Sequence, residues 1–349
     1  MNHIITVYDS LNYGSFFQAR ALQWELDKYA ETVFIDIRHQ NILQQTIRSS
    51  LGKAVRRKFS AFALEWKKYR AFKKAQRVFK TIPLKRISKS EGDCFFFGSD
   101  EIWNISRKKI SRSHEFFGMG LPEAIRIAVA PSVNRAEIND FRNRPELVTE
   151  LKKFYAVSVR DYHTKKVMEE LLDRECLLVG DPTLMMEAED YRKYQVRIKS
   201  EPYILIYSYG MMFRPGVEEK IRKFAETHRL KIISVGFWFS FCDKCIIPTP
   251  EEFLGWIDQA EYVITETFHG LMFSLIFEKN IAIFPCGNIK VEELLGIFDL
   301  TDRLCGPNDS LEEILQKGPE YNLLTPKIKA HGERLRLFIL KSLQSVGVV

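Results

Sequence analysis

Short apolar, β-rich runs alternate along this chain with amphipathic stretches, and the alternation is its first legible feature. "IITVYD" reads as a strand, and "NYGSFFQARALQWELDKY" turns and becomes a helix, with Phe16, Ala19, Leu22 and Leu26 at the three-to-four spacing of one helical face. "TVFIDI", "DCFFFGSD", "RIAVAPSV" and "YAVSVRD" read as further strands, "YHTKKVMEELLD" as a helix, and "CLLVGDPT" closes this half. The segment from about Met186 to Pro202 is polar and ends in proline, which suits a boundary. The scheme then repeats. "YILIYSYG", "KIISVGFW", "YVIT" and "NIAIFP" read as strands. "PGVEEKIRKFAETH", "TPEEFLGWIDQA", "HGLMFSLIFEK" and "KVEELLGIF" read as helices, and "PKIKAHGERLRLFILKSL" as a long terminal helix. Strand–helix alternation on both sides of a linker predicts two doubly wound parallel-sheet α/β domains. The boundaries read as 1–190 for the first, with a basic helical insertion at about 45–90, and 196–349 for the second with the terminal helix.

Length agrees, since 349 residues exceed the usual size of one hydrophobic core. Hydrophobic content of 46% with 28% charged residues excludes a disordered chain. No apolar run reaches the roughly 18 residues of a membrane span. "MNHIITVYDS" lacks a basic region followed by an apolar one, so the expectation is a cytoplasmic protein with scattered free thiols. The net charge of +7 is unevenly spread: Arg48 to Lys89 holds 15 Lys or Arg against one acid, Glu65, with aromatic residues interleaved. Such a segment is a solvated basic helix face or a contact for an anionic membrane. No zinc-finger or RNA-binding signature supports a nucleic-acid partner.

Doubly wound sheets bind ligands at the carboxyl ends of their strands, so polar residues there are the candidates. No GxGxxG follows the first strand, and no GxxxxGK[ST] occurs, which weakens dinucleotide and P-loop readings. Glu266, Thr267 and Phe268 follow "YVIT", and His269-Gly270 opens the next helix. Backbone N–H groups there attract an anion, Gly270 admits a ligand close to the backbone, and His269 could bind phosphate or move a proton. The alternative is a histidine that caps its own helix. Arg160 and Asp161 end another β-rich run, where a guanidinium suits carboxylate or phosphate and the alternative is an Arg–Asp pair. Gly98, Ser99 and Asp100 follow an apolar strand. Asp100 is an acid/base group or sugar-hydroxyl acceptor with Trp103 as a stacking surface, or the stretch is a helix cap over a buried Trp. Asp181 in "GDPT" reads as a structural turn residue. The single CxxC of Cys242 and Cys245 lacks the second pair of a structural zinc site, and no metal is expected.

Taken together, "NYGSFFQARALQWEL", "GSDEIWN", "IAVAPSV", "SVRD", "GDPTLMM", "PEEFLGWIDQAEYVITETFHGLMFSLIFEKN" and "VEELLGIFDLTDRL" resemble the polysaccharide pyruvyl transferase family nearly end to end. The resemblance implies two Rossmann-like domains arranged as in GT-B glycosyltransferases, with the active site between them. It implies transfer of pyruvate from phosphoenolpyruvate, as donor substrate and without a cofactor, onto two sugar hydroxyls as a cyclic ketal. In family members the stretch at His269 carries an arginine, one residue, then the histidine. His269 matches the histidine, Thr267 stands in the arginine's place, and Arg160 matches a second donor-binding arginine. These assignments make His269, Arg160 and Asp100 the candidate catalytic groups. Asn12, Gly14, Ser15, Ser99, Trp103, Asp161, Thr267 and Gly270 become candidate substrate contacts, with the turn at Asn12 lining the acceptor side. The acceptor implied is a sugar on a lipid-linked glycan, reached at the inner face of the membrane. The rival readings are a nucleotide-sugar glycosyltransferase of the same architecture and a non-catalytic glycan-binding relative.

Overall fold

In the computed structural model, the described residues are 1–37, 59–87, 93–107, 110, 113–210, 216–285, 287 and 289–348. Arg48, Lys53, Arg56, Arg57, Lys58 and Lys89 of the basic stretch, and Cys286, lie outside them. The chain divides into two compact units.

The first unit draws on residues 1–45, 76–186 and 330–349. Its seven strands are β1 (Asn2–Ile5), β2 (Thr32–Asp36), β3 (Thr81–Pro83), β4 (Cys94–Phe97), β5 (Ile125–Ala128), β6 (Ala156–Val159) and β7 (Leu177–Leu178). They pair in the order β3-β2-β1-β4-β5-β6-β7, all parallel. β1 and β4 are buried along their whole length, as central strands covered on both faces must be. Helix α1 (Tyr13–Leu26) returns the chain from β1 to β2. The next helix, α2 (Phe59–Ala75), groups with the second unit. Helices α3 (Ile138–Arg142), α4 (Pro145–Leu151) and α5 (Tyr162–Leu172) follow in the first unit. Phe95, Phe97, Trp103, Phe116, Phe117, Phe154 and Val159 anchor its core.

The second unit draws on residues 46–75 and 187–329. α6 (Ala188–Arg192) precedes β8 (Tyr203–Tyr207), and α7 (Val217–His228) leads to β9 (Lys231–Val235) and β10 (Lys244–Ile246). Then come α8 (Pro250–Asp258), β11 (Tyr262–Thr265), α9 (Phe268–Ile276), β12 (Asn280–Ile283), α10 (Ile289–Ile297) and α11 (Leu311–Lys317). The strand order is β10-β9-β8-β11-β12, again all parallel. α12 (Tyr321–Ser345) ends the chain.

The units part at Met186–Glu187, inside the boundary segment read from the sequence, whereas residues 46–75, expected with the first domain, group with the second. Residues 187–202 are not a bare linker: Tyr191 is fully buried between the rings of Phe273 and Phe277, and the Val196 N–H donates to the Glu251 carbonyl. Hydrophobic burial of one tyrosine anchors a segment whose average polarity suggested solvent. Residues 330–349, expected with the second domain, group with the first unit. There Gly332 lies against the Leu184 carbonyl, the Arg336 Nε donates to Glu25 Oε2 at 3.2 Å, and Leu335, Ile339 and Leu343 are fully buried.

Candidate active site

In the first sheet β1 and β4 are neighbours, and the chain runs outward from them in opposite directions. That reversal opens a crevice at their carboxyl ends. Gly98 follows β4 at φ +119°, and a Cβ there would sit 2.2 Å from the Val129 carbonyl oxygen, so only glycine fits. Ser99 is fully buried. Its N–H donates to Gln18 Oε1 at 3.0 Å, its Oγ donates to the Ala130 carbonyl at 2.8 Å, and its own carbonyl accepts from Thr6 Oγ1 at 3.2 Å. Gln18, also buried, donates through Nε2 to Thr6 Oγ1, the Val7 carbonyl and the Ser15 carbonyl. One side chain thus ties the β1 loop, α1 and the β4 loop together. Asp100 emerges half-buried from this frame at φ +69°. Its Oδ2 accepts from Ser15 Oγ at 2.6 Å and its Oδ1 from the Glu101 N–H at 2.8 Å.

Arg160 follows β6 with only 2% of its side chain exposed. Its guanidinium donates to Asp181 Oδ2 at 2.9 Å, reaches Ser99 Oγ at 3.4 Å, and lies 3.8 Å from Asp100 Oδ1. Burial opposes its charge, but the carboxylates of Asp181, Asp100, Asp161 and Glu101 outweigh burial and hold its pKa above the ordinary value. The Arg–Asp pair open on sequence grounds is therefore present, with Asp181 as the partner. Asp181 also accepts from the Thr183 N–H and hydroxyl, which fixes it in the turn.

The second sheet has its own reversal between β8 and β11. Glu266 follows β11 and is 1% exposed. Its Oε2 accepts from Ser208 Oγ at 2.5 Å and its Oε1 from the Tyr209 N–H at 2.6 Å, so it bridges the two strand ends. Ser208 Oγ accepts in turn from the Gly210 N–H at 2.8 Å. Thr267 is the N-cap of α9: its Oγ1 accepts from the Gly270 N–H at 3.0 Å and lies 3.0 Å from Thr265 Oγ1. A Cβ on residue 270 would sit 2.3 Å from Thr265 Oγ1 and 2.5 Å from Thr267 Oγ1, so Gly270 serves the packing of the cap. His269 stands half-buried in the first turn of α9, where helix dipole and backbone N–H groups favour an anion. The capping role open to His269 on sequence grounds belongs to Thr267.

These positions correct one expected contact and locate the others in the fold. Trp103 is no stacking surface: it is fully buried, meets Phe154 edge-on and donates from Nε1 to the Phe116 carbonyl at 3.1 Å. Asp161 caps α5 through the Thr164 N–H at 2.7 Å, and Asn12 caps α1 through the Ser15 N–H at 3.2 Å. Gly14 is buried in the first turn of α1. Ser99, Thr267 and Gly270 are buried. Ser15, Ser99, Asp100 and Arg160 come together in the first unit, and Thr267, His269 and Gly270 in the second. Sequence reasoning left Gln18, Ser208, Glu266 and the Asp181–Arg160 pairing off the site. Gln18 has a signal, a polar residue on the apolar face of a helix three positions after Ser15. Burial pushes the Cys242 thiol up to about 12, which keeps it protonated at neutral pH. Among the described residues no group of three or more His, Cys, Asp or Glu is placed to hold a metal ion.

A family model described as polysaccharide pyruvyl transferase matches residues 12–288. The chain belongs to the polysaccharide pyruvyl transferase family. The family match runs from the α1 cap past β12 and so takes in both strand-end clusters. No curated protein matches the chain. Among solved structures, a UDP-N-acetylglucosamine 2-epimerase aligns at 11% identity, TM-score 0.56, over 99% of this chain and 95% of its own. The UDP-GlcNAc 2-epimerase from Neisseria meningitidis, bound to UDP-GlcNAc, aligns at 8% identity and TM-score 0.53 over 99% of both chains. An alpha-glucosyltransferase in complex with UDP aligns at 7% identity and TM-score 0.51, over 97% of this chain and 95% of its own. At these identities the likeness is one of fold. This family member has the GT-B-like α/β fold of those proteins, with two parallel sheets and interleaved helices.

Proposed function

We propose that this protein transfers a pyruvyl group from phosphoenolpyruvate onto two hydroxyls of a sugar in a cell-surface polysaccharide or lipid-linked glycan precursor. The observation that carries the reading is the family match over residues 12–288. In the reaction the enol carbon gains a proton and the neighbouring carbon becomes cationic. A first sugar hydroxyl bonds to that carbon, the phosphate leaves with the electron pair of its C–O bond, and the second hydroxyl closes the ketal. One hydroxyl proton ends on the new methyl group and the other on phosphate.

His269 is the group for proton delivery or phosphate contact, because it stands at a helix N-terminus where an anion is favoured. Asp100 is the base or sugar-hydroxyl acceptor, with Ser15 Oγ fixing one oxygen at 2.6 Å. Arg160, which the resemblance matches to a donor-binding arginine, acts from a buried position, with Asp181 holding its guanidinium at 2.9 Å and Asp100 Oδ1 3.8 Å away. The scheme uses no metal and no cofactor. Among the described residues no helix is long and apolar enough to cross a membrane. A lipid-linked acceptor would then be met at the inner face of the membrane, with the basic stretch toward anionic lipid.

Nucleotide-sugar glycosyl transfer is the competing reading, because neighbours of this fold are described as UDP or UDP-GlcNAc complexes and a helix N-terminus also suits a diphosphate. Thermal shift with phosphoenolpyruvate against UDP- and GDP-sugars, then mass spectrometry of a lipid-linked sugar panel, separates them. The expected result is a shift with phosphoenolpyruvate and a pyruvylated acceptor. A shift with a nucleotide sugar alone, and no ketal on any acceptor, sinks the proposal. Glycan binding with neither donor would mark a non-catalytic relative.

A further inference from the structure

The carboxyl edge of the second sheet carries aromatic rings that pyruvyl transfer leaves unused. The loop after β8 presents Tyr209, 42% exposed, and the loop after β9 presents Phe237 and Trp238, the latter 60% exposed. Tyr209 meets the Phe237 ring edge-on at 5.5 Å and the Tyr207 ring at 6.0 Å. From α2, Lys68 holds its ammonium 5.0 Å over the Phe237 ring. The loops are braced from behind. The Tyr209 N–H is held by buried Glu266 at 2.6 Å, and Gly236 makes the turn out of β9 at φ +79°. Tyr209 and Phe237 packed together on a braced backbone, with a cation over one ring and the exposed Trp238 next in the chain, form a built surface rather than scattered apolar residues.

We propose that Tyr209, Phe237, Trp238 and Lys68 form a subsite for an anionic sugar, a pyranose ring bearing phosphate or carboxylate. The apolar C–H face of a pyranose packs on aromatic faces, while its hydroxyls stay at the wet rim. The Lys68 ammonium, already partly desolvated against Phe237, pairs with the anion. That the ligand is a sugar rests on the pyruvyl-transfer reading, and that it is anionic rests on Lys68 over the Phe237 ring. The platform itself stands on the contacts above.

The test titrates the full chain with glucose 1-phosphate, glucose, inorganic phosphate, uridine and phosphatidylglycerol vesicles, followed by calorimetry. Glucose 1-phosphate is expected to bind, and more tightly than glucose or phosphate alone. Tyr209→Ala and Trp238→Ala are each expected to weaken it about tenfold, as loss of an aromatic anchor does. Lys68→Met keeps the stem and is expected to cost roughly 2–5-fold and to flatten the salt dependence. All three side chains are solvent-accessible, and unchanged melting temperatures check the fold. The proposal is overturned if glucose 1-phosphate does not bind, or binds all three variants as tightly as the parent. Tighter binding of uridine, competing with glucose 1-phosphate, would also overturn it in favour of a nucleoside site. Vesicle binding lost in the same variants, without sugar binding, would make the patch a membrane contact. Pyruvyl transfer is assayed separately, so a subsite that binds in a protein that never forms a ketal would remove only the functional reading.

Discussion

At position 267 the family resemblance implies an arginine, and the structure explains why a threonine serves this chain. Thr267 is 3% exposed and its hydroxyl caps α9, with Thr265 and Gly270 packed against it. Thr267→Arg is expected to lower the melting temperature, since the lost cap alone costs about 1 kcal/mol and the new charge must leave a buried site. Thr267→Ser keeps the acceptor oxygen and is expected to stay close to the parent; equal melting temperatures for the two variants would show that the cap is unimportant. His269 stands half-buried two residues further on, in the first turn that Thr267 caps. His269→Ala is expected to lower turnover by roughly 10²–10⁴-fold, the usual size of an acid–base contribution, with the melting temperature nearly unchanged. Full turnover in that variant would remove His269 from the chemical step. Trp103 shows where residue-level reading fails. A tryptophan beside a polar strand end looks the same in sequence whether it faces ligand or core. The neighbours that bury it, Phe116 and Phe154, lie 13 and 51 positions away in "HEFF" and "KKFY".

At the scale of elements, α6 and α8 are joined by a bidentate pair: Arg192 Nε and a guanidinium nitrogen donate to the two Asp258 oxygens at 3.0 and 2.8 Å. Burial opposes ionisation of Asp258, but hydrogen bonds from Arg192 and Gln195 outweigh it and hold the carboxyl below its usual value. A folded-state pKa below the unfolded one stabilises above the unfolded pKa, about 3.9 for aspartate, and that gain is lost as pH falls through the folded value. Asp258→Asn is expected to cost about 1 kcal/mol at neutral pH, since Arg192 is partly exposed, and to flatten the acid limb of the melting curve. A variant with the parent's acid limb would disprove the linkage. On α2, Lys67, Arg70 and Lys74 are exposed and share one helical face. Reversing all three to Glu is expected to weaken binding to anionic vesicles, with the loss shrinking as salt rises. A parent protein that ignores such vesicles at low salt would end the membrane idea. Strands β3 and β10 were absent from the sequence reading because three residues, one of them Pro83 or Lys244, leave no run for a period to show.

For the molecule as a whole, the most consequential finding is that the chain returns to its first unit at residue 330. Gly332 permits it, since a Cβ there would sit 2.0 Å from the Leu184 carbonyl oxygen. Gly332→Ala gains up to about 1 kcal/mol of helix propensity but forces a backbone clash of about 1–3 kcal/mol, so a net destabilisation is expected. Hydrogen exchange should report it as faster exchange across residues 330–345. A raised melting temperature with intact protection would mean the helix never packs there.

The sequence by itself determined what local periodicity records: two alternating α/β halves, most of the strands, and polar punctuation at the strand ends where the candidate site lies. Only the tertiary structure decided strand order, the Arg160–Asp181 pairing, the Gln18 and Glu266 braces, and the return of α12 to the first unit. The physical reason is that a pattern along the chain shows whether a residue is buried, whereas the identity of its partner depends on segments brought together from far away. Gln18 meets Ser99 across 81 positions and Glu266 meets Ser208 across 58. Buried polar groups must be satisfied, but many donors and acceptors along a chain of 349 residues could do it. Folding selects among them.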